Sequence, residues 1–127
     1  MTSASPTPRA ARLAFPKSVR LLRRAEFLSV QGSRHRFVAR AMAFLLRPND
    51  LGHFRVGFTV SRKHGSAVER NRVRRRLREA VRRSLPLLSP FPMDAVVLPR
   101  EGVGEASFDV LLDDVARLVR HLRERST

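Results

Sequence analysis

Residues 70–83 hold eight arginines in fourteen positions: Arg70, Arg72, Arg74, Arg75, Arg76, Arg78, Arg82 and Arg83. Val73, Leu77, Ala80 and Val81 interrupt them at helical spacing, which predicts a helix with one stripe to bury and two flanks of guanidinium. Such an array repels itself until a polyanion lies against it, and nucleic acid is the first candidate. Arg70, Arg74 and Arg78 follow at i, i+4 and i+8, while Asn71, Arg75 and Arg82 fall on a neighbouring side. Two adjacent rows of cations can straddle two phosphate tracks. Asn71 is the odd member: an amide among arginines reads a base edge or orients its neighbours, or else it is an indifferent first-turn residue.

Just ahead of this segment, Arg62-Lys63-His64-Gly65 follows a strand directly and offers two cations and backbone amides to the same groove. Phe27 and either Phe44 or Leu45 are candidate stacking surfaces for unpaired bases, with ordinary core as the other reading of Phe44. The net charge of +15 on 127 residues agrees with a phosphate-binding role. The bases are 24 Arg and only two Lys; the planar Arg fork engages phosphate oxygens in pairs, although codon usage would give the same bias.

Catalysis by the protein's own groups is not indicated. The four histidines His35, His53, His64 and His121 are scattered, without metal-ligand spacing. Asp113 and Asp114 occupy helical positions suited to capping and to i,i+4 pairing with Arg117 and nearby bases. No nucleophile has an adjacent base, and Gly102-x-Gly104 is a loop signal rather than a phosphate cradle. The absence of cysteine suits a reducing compartment, and no apolar run approaches the ~20 residues that cross a bilayer. A soluble cytoplasmic protein is expected.

The elements that must position these residues are readable in outline. Residues 1–16, rich in Ser, Thr and Pro, read as a disordered tail, and 17–124 as a single RNA-binding domain. A first helix is expected from Arg23 to Val30 with Leu22, Phe27 and Val30 as its apolar contacts, then a basic extended stretch over 34–37. A strand over 40–47 leads through a loop at 48–52 to a second strand. There Phe54, Val56, Phe58 and Val60 share a core face, while Arg55, Gly57, Thr59 and Ser61 leave the other small, polar and open. Ser66 and Glu69 form a capping box for the basic helix, which Pro86 should end. Val96, Val97 and Leu98 make a short buried strand, and Ser107 to Glu124 a final helix burying Leu111, Val115, Leu118 and Leu122. This order predicts an α+β sandwich with a small mixed sheet.

The run from Phe54 through Ser61-Arg62-Lys63, Ala67-Val68 and Arg70-Asn71-Arg72 to Glu79 resembles the signature of the bacterial ribonuclease P protein component. The likeness extends upstream through Phe15-Pro16, Arg20-Leu21 and Phe27, and downstream through Asp94 to Leu98 and the last helix. It implies an α-β-β-β-α-β-α fold of the ribosomal protein S5 domain 2-like type, with a left-handed βαβ crossover. It also implies an accessory subunit of an endoribonuclease, in which a catalytic RNA and the Mg²⁺ held by RNA and substrate remove the 5′ leader of precursor tRNA. Arg70, Asn71, Arg72, Arg74, Arg75 and Arg78 would bind the RNA subunit. Phe27, Leu45, Arg62, Lys63 and Asn71 would bind the leader, and neither a catalytic residue nor a metal ligand would come from the protein. Gln31 stands where many members carry a second aromatic, the strand Tyr common in the family is replaced by Leu45 or shifted to Phe44, and Arg76 stands where an apolar residue is common. No membrane and no obligate protein partner are implied. The alternative is a non-catalytic ribosomal or RNA-chaperone protein, which would lack a leader cleft opposite the basic helix.

Overall fold

The computed structural model describes residues 17–21 and 23–126. The tail expected over 1–16, and the contacts expected of Leu22, lie outside the described residues. In chain order the elements are α1 (Arg24–Gln31), β1 (His35–Val38), β2 (Met42–Pro48), β3 (Arg55–Phe58), α2 (Ala67–Arg83), α3 (Leu85–Leu88), β4 (Met93–Pro99) and α4 (Phe108–Ser126). Short 3₁₀ turns occupy Lys17–Val19, Arg62–His64 and Val103–Glu105.

The four strands form one mixed sheet in the order β1-β2-β4-β3. β2 is antiparallel to both β1 and β4, with Phe44 opposite Phe37 on one side and Val97 on the other. β3 and β4 are parallel neighbours, with Val56 opposite Ala95, so α2 is the crossover that parallel pairing requires. Residues 20–21 cover the outer edge of β3 through the Leu21 N–H, which donates to Val56 O at 3.1 Å.

Alternation along the strands sorts side chains onto two faces. Met42, Phe44, Leu46, Val56, Ala95 and Val97 join the main core with Val73 and Leu77 of α2 and Leu111, Val115 and Leu118 of α4. The opposite face carries a smaller cluster of Leu21, Val30 and Val96, against which Phe27, Leu45 and Leu98 pack half-buried.

Several boundaries differ from the sequence reading. The basic stretch over 34–37 is the edge strand β1, because His35 and Phe37 alternate inward while Arg36 and Val38 face solvent. β2 starts at Met42 rather than Arg40 because a buried carboxylate claims the preceding turn: Arg40 N–H and Ala41 N–H donate to Asp114 at 3.2 and 2.7 Å. β3 is shorter than expected, and β4 longer. α2 stops at Arg83, and Pro86 sits in the first turn of α3, where its missing N–H costs nothing.

Candidate nucleic-acid interface

α2 begins where the sequence places it. The Glu69 N–H donates to Ser66 Oγ at 3.2 Å and the Ser66 N–H donates to Glu69 Oε1 at 2.8 Å, a complete capping box. Gly65, at φ 110, precedes it in a conformation that side chains rarely adopt, and a Cβ there would collide with Glu69. Val73, Leu77, Ala80 and Val81 are buried as the apolar stripe requires.

The cations then separate by face. Arg70, Asn71, Arg74, Arg75 and Arg78 make one continuous surface along the helix at i, i+1, i+4, i+5 and i+8. Arg74 Nη1 donates to Asn71 Oδ1 at 2.8 Å, so Asn71 fixes the direction of a neighbouring guanidinium. Arg75 is exposed and makes no hydrogen bond or ion pair among the described residues. Arg70 is half-buried, and its Nε lacks a hydrogen-bond partner among the described residues. The next flank turns toward the segment before α4. Arg76 Nη2 donates to Ala106 O at 2.6 Å, and Arg72 Nη1 reaches Gly104 O at 3.4 Å. The structure therefore does not bring Arg72 onto the surface shared by the other five.

Farther along, Glu79 accepts from Arg82 at 2.7 Å and from Arg83 at 2.9 Å, while Arg83 lies 5.0 Å from the centre of the Phe108 ring. Bonding to Arg82 first, and then to Arg83, pulls the Glu79 carboxyl down to about 2. Arg82 is thus engaged within the helix and does not extend the row of Asn71 and Arg75.

The second sheet face holds the other candidate residues. Phe27 and Leu45, distant in sequence, meet in the smaller apolar cluster. Phe27 lies so close over Gly57 that a Cβ there would sit 2.5 Å from two ring carbons. The floor read as open at Gly57 is therefore filled by the Phe27 ring, and Gly57 is the glycine that permits the contact. Phe44, the other stacking candidate, is wholly buried on the opposite face and is core. Arg62 and Lys63 remain exposed in the turn joining β3 to α2.

What holds α1 over this face escaped the sequence reading. Arg55 donates from Nε and Nη2 to the two Asp94 oxygens at 2.9 and 2.7 Å and from Nη1 to Glu26 at 2.7 Å. The fork ties β3, β4 and α1 together. Asn49 Nδ2 adds a donor to Asp94 at 2.8 Å. Arg55 is thereby a structural member of a face expected to be open. Asp114, expected as a cap or ion-pair partner, instead holds the β1–β2 turn, while Asp113 does pair with Arg117 at 3.1 Å. His35 and His121, scattered in sequence, face each other with 2.9 Å between their Nε2 atoms, and Phe37 stacks on His121 at 4.5 Å. Burial first, and Arg125 next, lowers both imidazoles below the ordinary value of 6.5.

A strand-to-helix turn carrying Arg62 and Lys63, a capped helix with a face of cations, and an aromatic over a glycine on the far sheet face form a composite pattern. The family model described as Ribonuclease P matches it over residues 15–123. The chain belongs to the ribonuclease P protein family. The Ribonuclease P protein component of Citrifermentans bemidjiense is 37% identical over 111 residues, covering 87% of this chain and 94% of that one. That of Gluconacetobacter diazotrophicus is 45% identical over 106 residues, covering 80% and 88%. Among solved structures, the ribonuclease P protein from Thermotoga maritima superposes with a TM-score of 0.71 at 29% identity, covering 80% of this chain and 96% of that one. In this family member, the strand–turn–helix unit from β3 to α2 carries most of the candidate site, and α1 with β2 supplies the rest.

Proposed function

We propose that this chain, as the protein component of ribonuclease P, docks on a catalytic RNA through α2 and holds the 5′ leader of precursor tRNA on the face bearing Phe27 and Leu45. The observation that carries the docking is the continuous α2 surface of Arg70, Asn71, Arg74, Arg75 and Arg78, with Arg75 exposed. Arg72 sits at its border, exposed beside the Gly104 carbonyl, where it would reach the same RNA. Arg62 and Lys63 would guide leader phosphates from the end of β3 toward Asn71. Phe27, half-buried over Gly57, and Leu45 would receive a leader base edge-on, a weaker platform than a free aromatic.

In this reading the RNA performs the hydrolysis that leaves a 5′-phosphate on mature tRNA. Mg²⁺, held by RNA and substrate, supplies the charge stabilisation and the activated water. The protein's own residues lower the electrostatic cost of bringing two polyanions together, so less free Mg²⁺ is needed. Such work belongs in the cytoplasm, and no helix among the described residues is long and apolar enough to cross a membrane. Reconstitution with a cognate catalytic RNA tests the proposal: precursor-tRNA cleavage at low Mg²⁺ should depend on the chain. Cleavage by the chain without RNA, or the same rate with and without it, would refute the division of labour.

A further inference from the structure

Beside α2, on the flank away from Asn71 and Arg75, a cavity of about 470 Å³ opens at the carboxyl ends of the parallel strands β3 and β4. That volume is within the usual range for small-molecule sites, and the position is the one where parallel strands commonly bind ligands. Its walls are of three kinds. Val73 and Val103, 4% and 3% exposed, contribute an apolar floor. Lys63 and Arg72 supply cations on one side, with Arg72 steadied by the Gly104 carbonyl, and Glu69 lines the same side with its carboxylate engaged by the Ser66 N–H. Glu101 and Glu105 stand on the loop opposite, exposed, and make no hydrogen bond or ion pair through their side chains among the described residues.

That last feature is unexpected on electrostatic grounds. In a chain with 26 Lys and Arg against 11 Asp and Glu, two carboxylates beside cations would ordinarily be paired. Gly102 and Gly104 between them have open space where a Cβ would lie, so the loop leaves room for a planar group to approach its backbone. Gly102 also requires its glycine, at φ 87.

Resting on the RNA-binding role above, we propose that this cavity receives an unpaired guanine nucleotide of the partner RNA. The base would lie on Val73 and Val103, its phosphate on Lys63 and Arg72, and its Watson–Crick edge on Glu101 or Glu105. A carboxylate only accepts hydrogen bonds and offers two parallel oxygens. Guanine alone among the four bases presents two adjacent donors, N1–H and N2–H₂, to match them. Adenine and cytosine place a ring-nitrogen acceptor beside their amino group, and uracil flanks its single donor with carbonyls; each would set an acceptor against the carboxylate. His64, whose imidazole is lowered below its ordinary value by burial first and by Lys63 next, lines the same cavity.

The test uses the full chain and single-stranded RNA octamers identical except for one central guanosine, inosine or adenosine, with affinity read by fluorescence anisotropy. Inosine keeps N1–H and lacks the N2 amine. The guanosine octamer should bind about tenfold tighter than the inosine octamer, the discrimination typical of one bidentate contact. The double variant E101Q/E105Q should bind the inosine and adenosine octamers more tightly through lost repulsion while its guanosine-to-inosine ratio falls to about one. Equal affinities for the three octamers, or a ratio unchanged in the variant, would overturn the assignment. A chain that stimulates precursor-tRNA cleavage yet ignores the central base refutes this pocket alone; one that binds no octamer and stimulates nothing overturns the RNA-binding reading with it.

Discussion

Gly57→Ala isolates the contact that fills the sheet face bearing Phe27 and Leu45. The added methyl would begin 2.5 Å from two Phe27 ring carbons and 3.2 Å from the Leu21 Cβ, so the ring has to lift or β3 has to bow. Forcing a methyl into a packed site costs about 1–3 kcal/mol. Gly57 has no positive φ, so alanine also restricts the unfolded chain, worth about 0.4–1 kcal/mol in the opposite direction. The net expectation is a loss of about 1–2 kcal/mol, a fall in Tm of several degrees for a chain of this size. In a Phe27→Ala background the methyl meets no ring, and Gly57→Ala should become neutral or slightly stabilising. Urea titration of the four proteins of this double-mutant cycle should give a coupling of about 1–3 kcal/mol between the two positions, because the unfolded-chain contribution cancels. Additive effects would show that Phe27 does not rest on Gly57, and the reasoning about this face would fail with it.

Three further expectations are testable directly. His35 and His121 are lowered below 6.5 in the folded state, so their contribution is complete above pH 6.5 and is lost as pH falls through their folded values; thermal midpoints measured between pH 7.5 and 5 should drop, and drop less in His121→Gln. The double substitution Arg72→Ala, Arg75→Ala should weaken assembly with the catalytic RNA by filter binding while circular dichroism shows an intact fold, because neither side chain is in the core. RNA affinity should fall steeply with salt, with a log–log slope of roughly −4 if about six single-strand phosphates are contacted; a flat dependence in a salt titration would contradict a cationic docking face.

The residues themselves determined a good deal. The period of Val73, Leu77, Ala80 and Val81 located the buried stripe of α2, and Ser66 with Glu69 located its start, since both depend only on neighbours within two turns. Charge and the run from Phe54 to Glu79 pointed to RNA and to the family for the same local reason. Tertiary structure alone decided which cations share a surface: Arg72 and Arg76 turn to the carbonyls of Gly104 and Ala106, contacts that span about thirty residues of sequence. It also decided that Gly57 carries the Phe27 ring, that Arg55 bridges Glu26 and Asp94, and that His35 meets His121. Periodicity records which face of an element is apolar, but not which distant segment lands on it. That partner is chosen by the packing of the whole sheet and its helices, and here it determines which cations stay available to RNA.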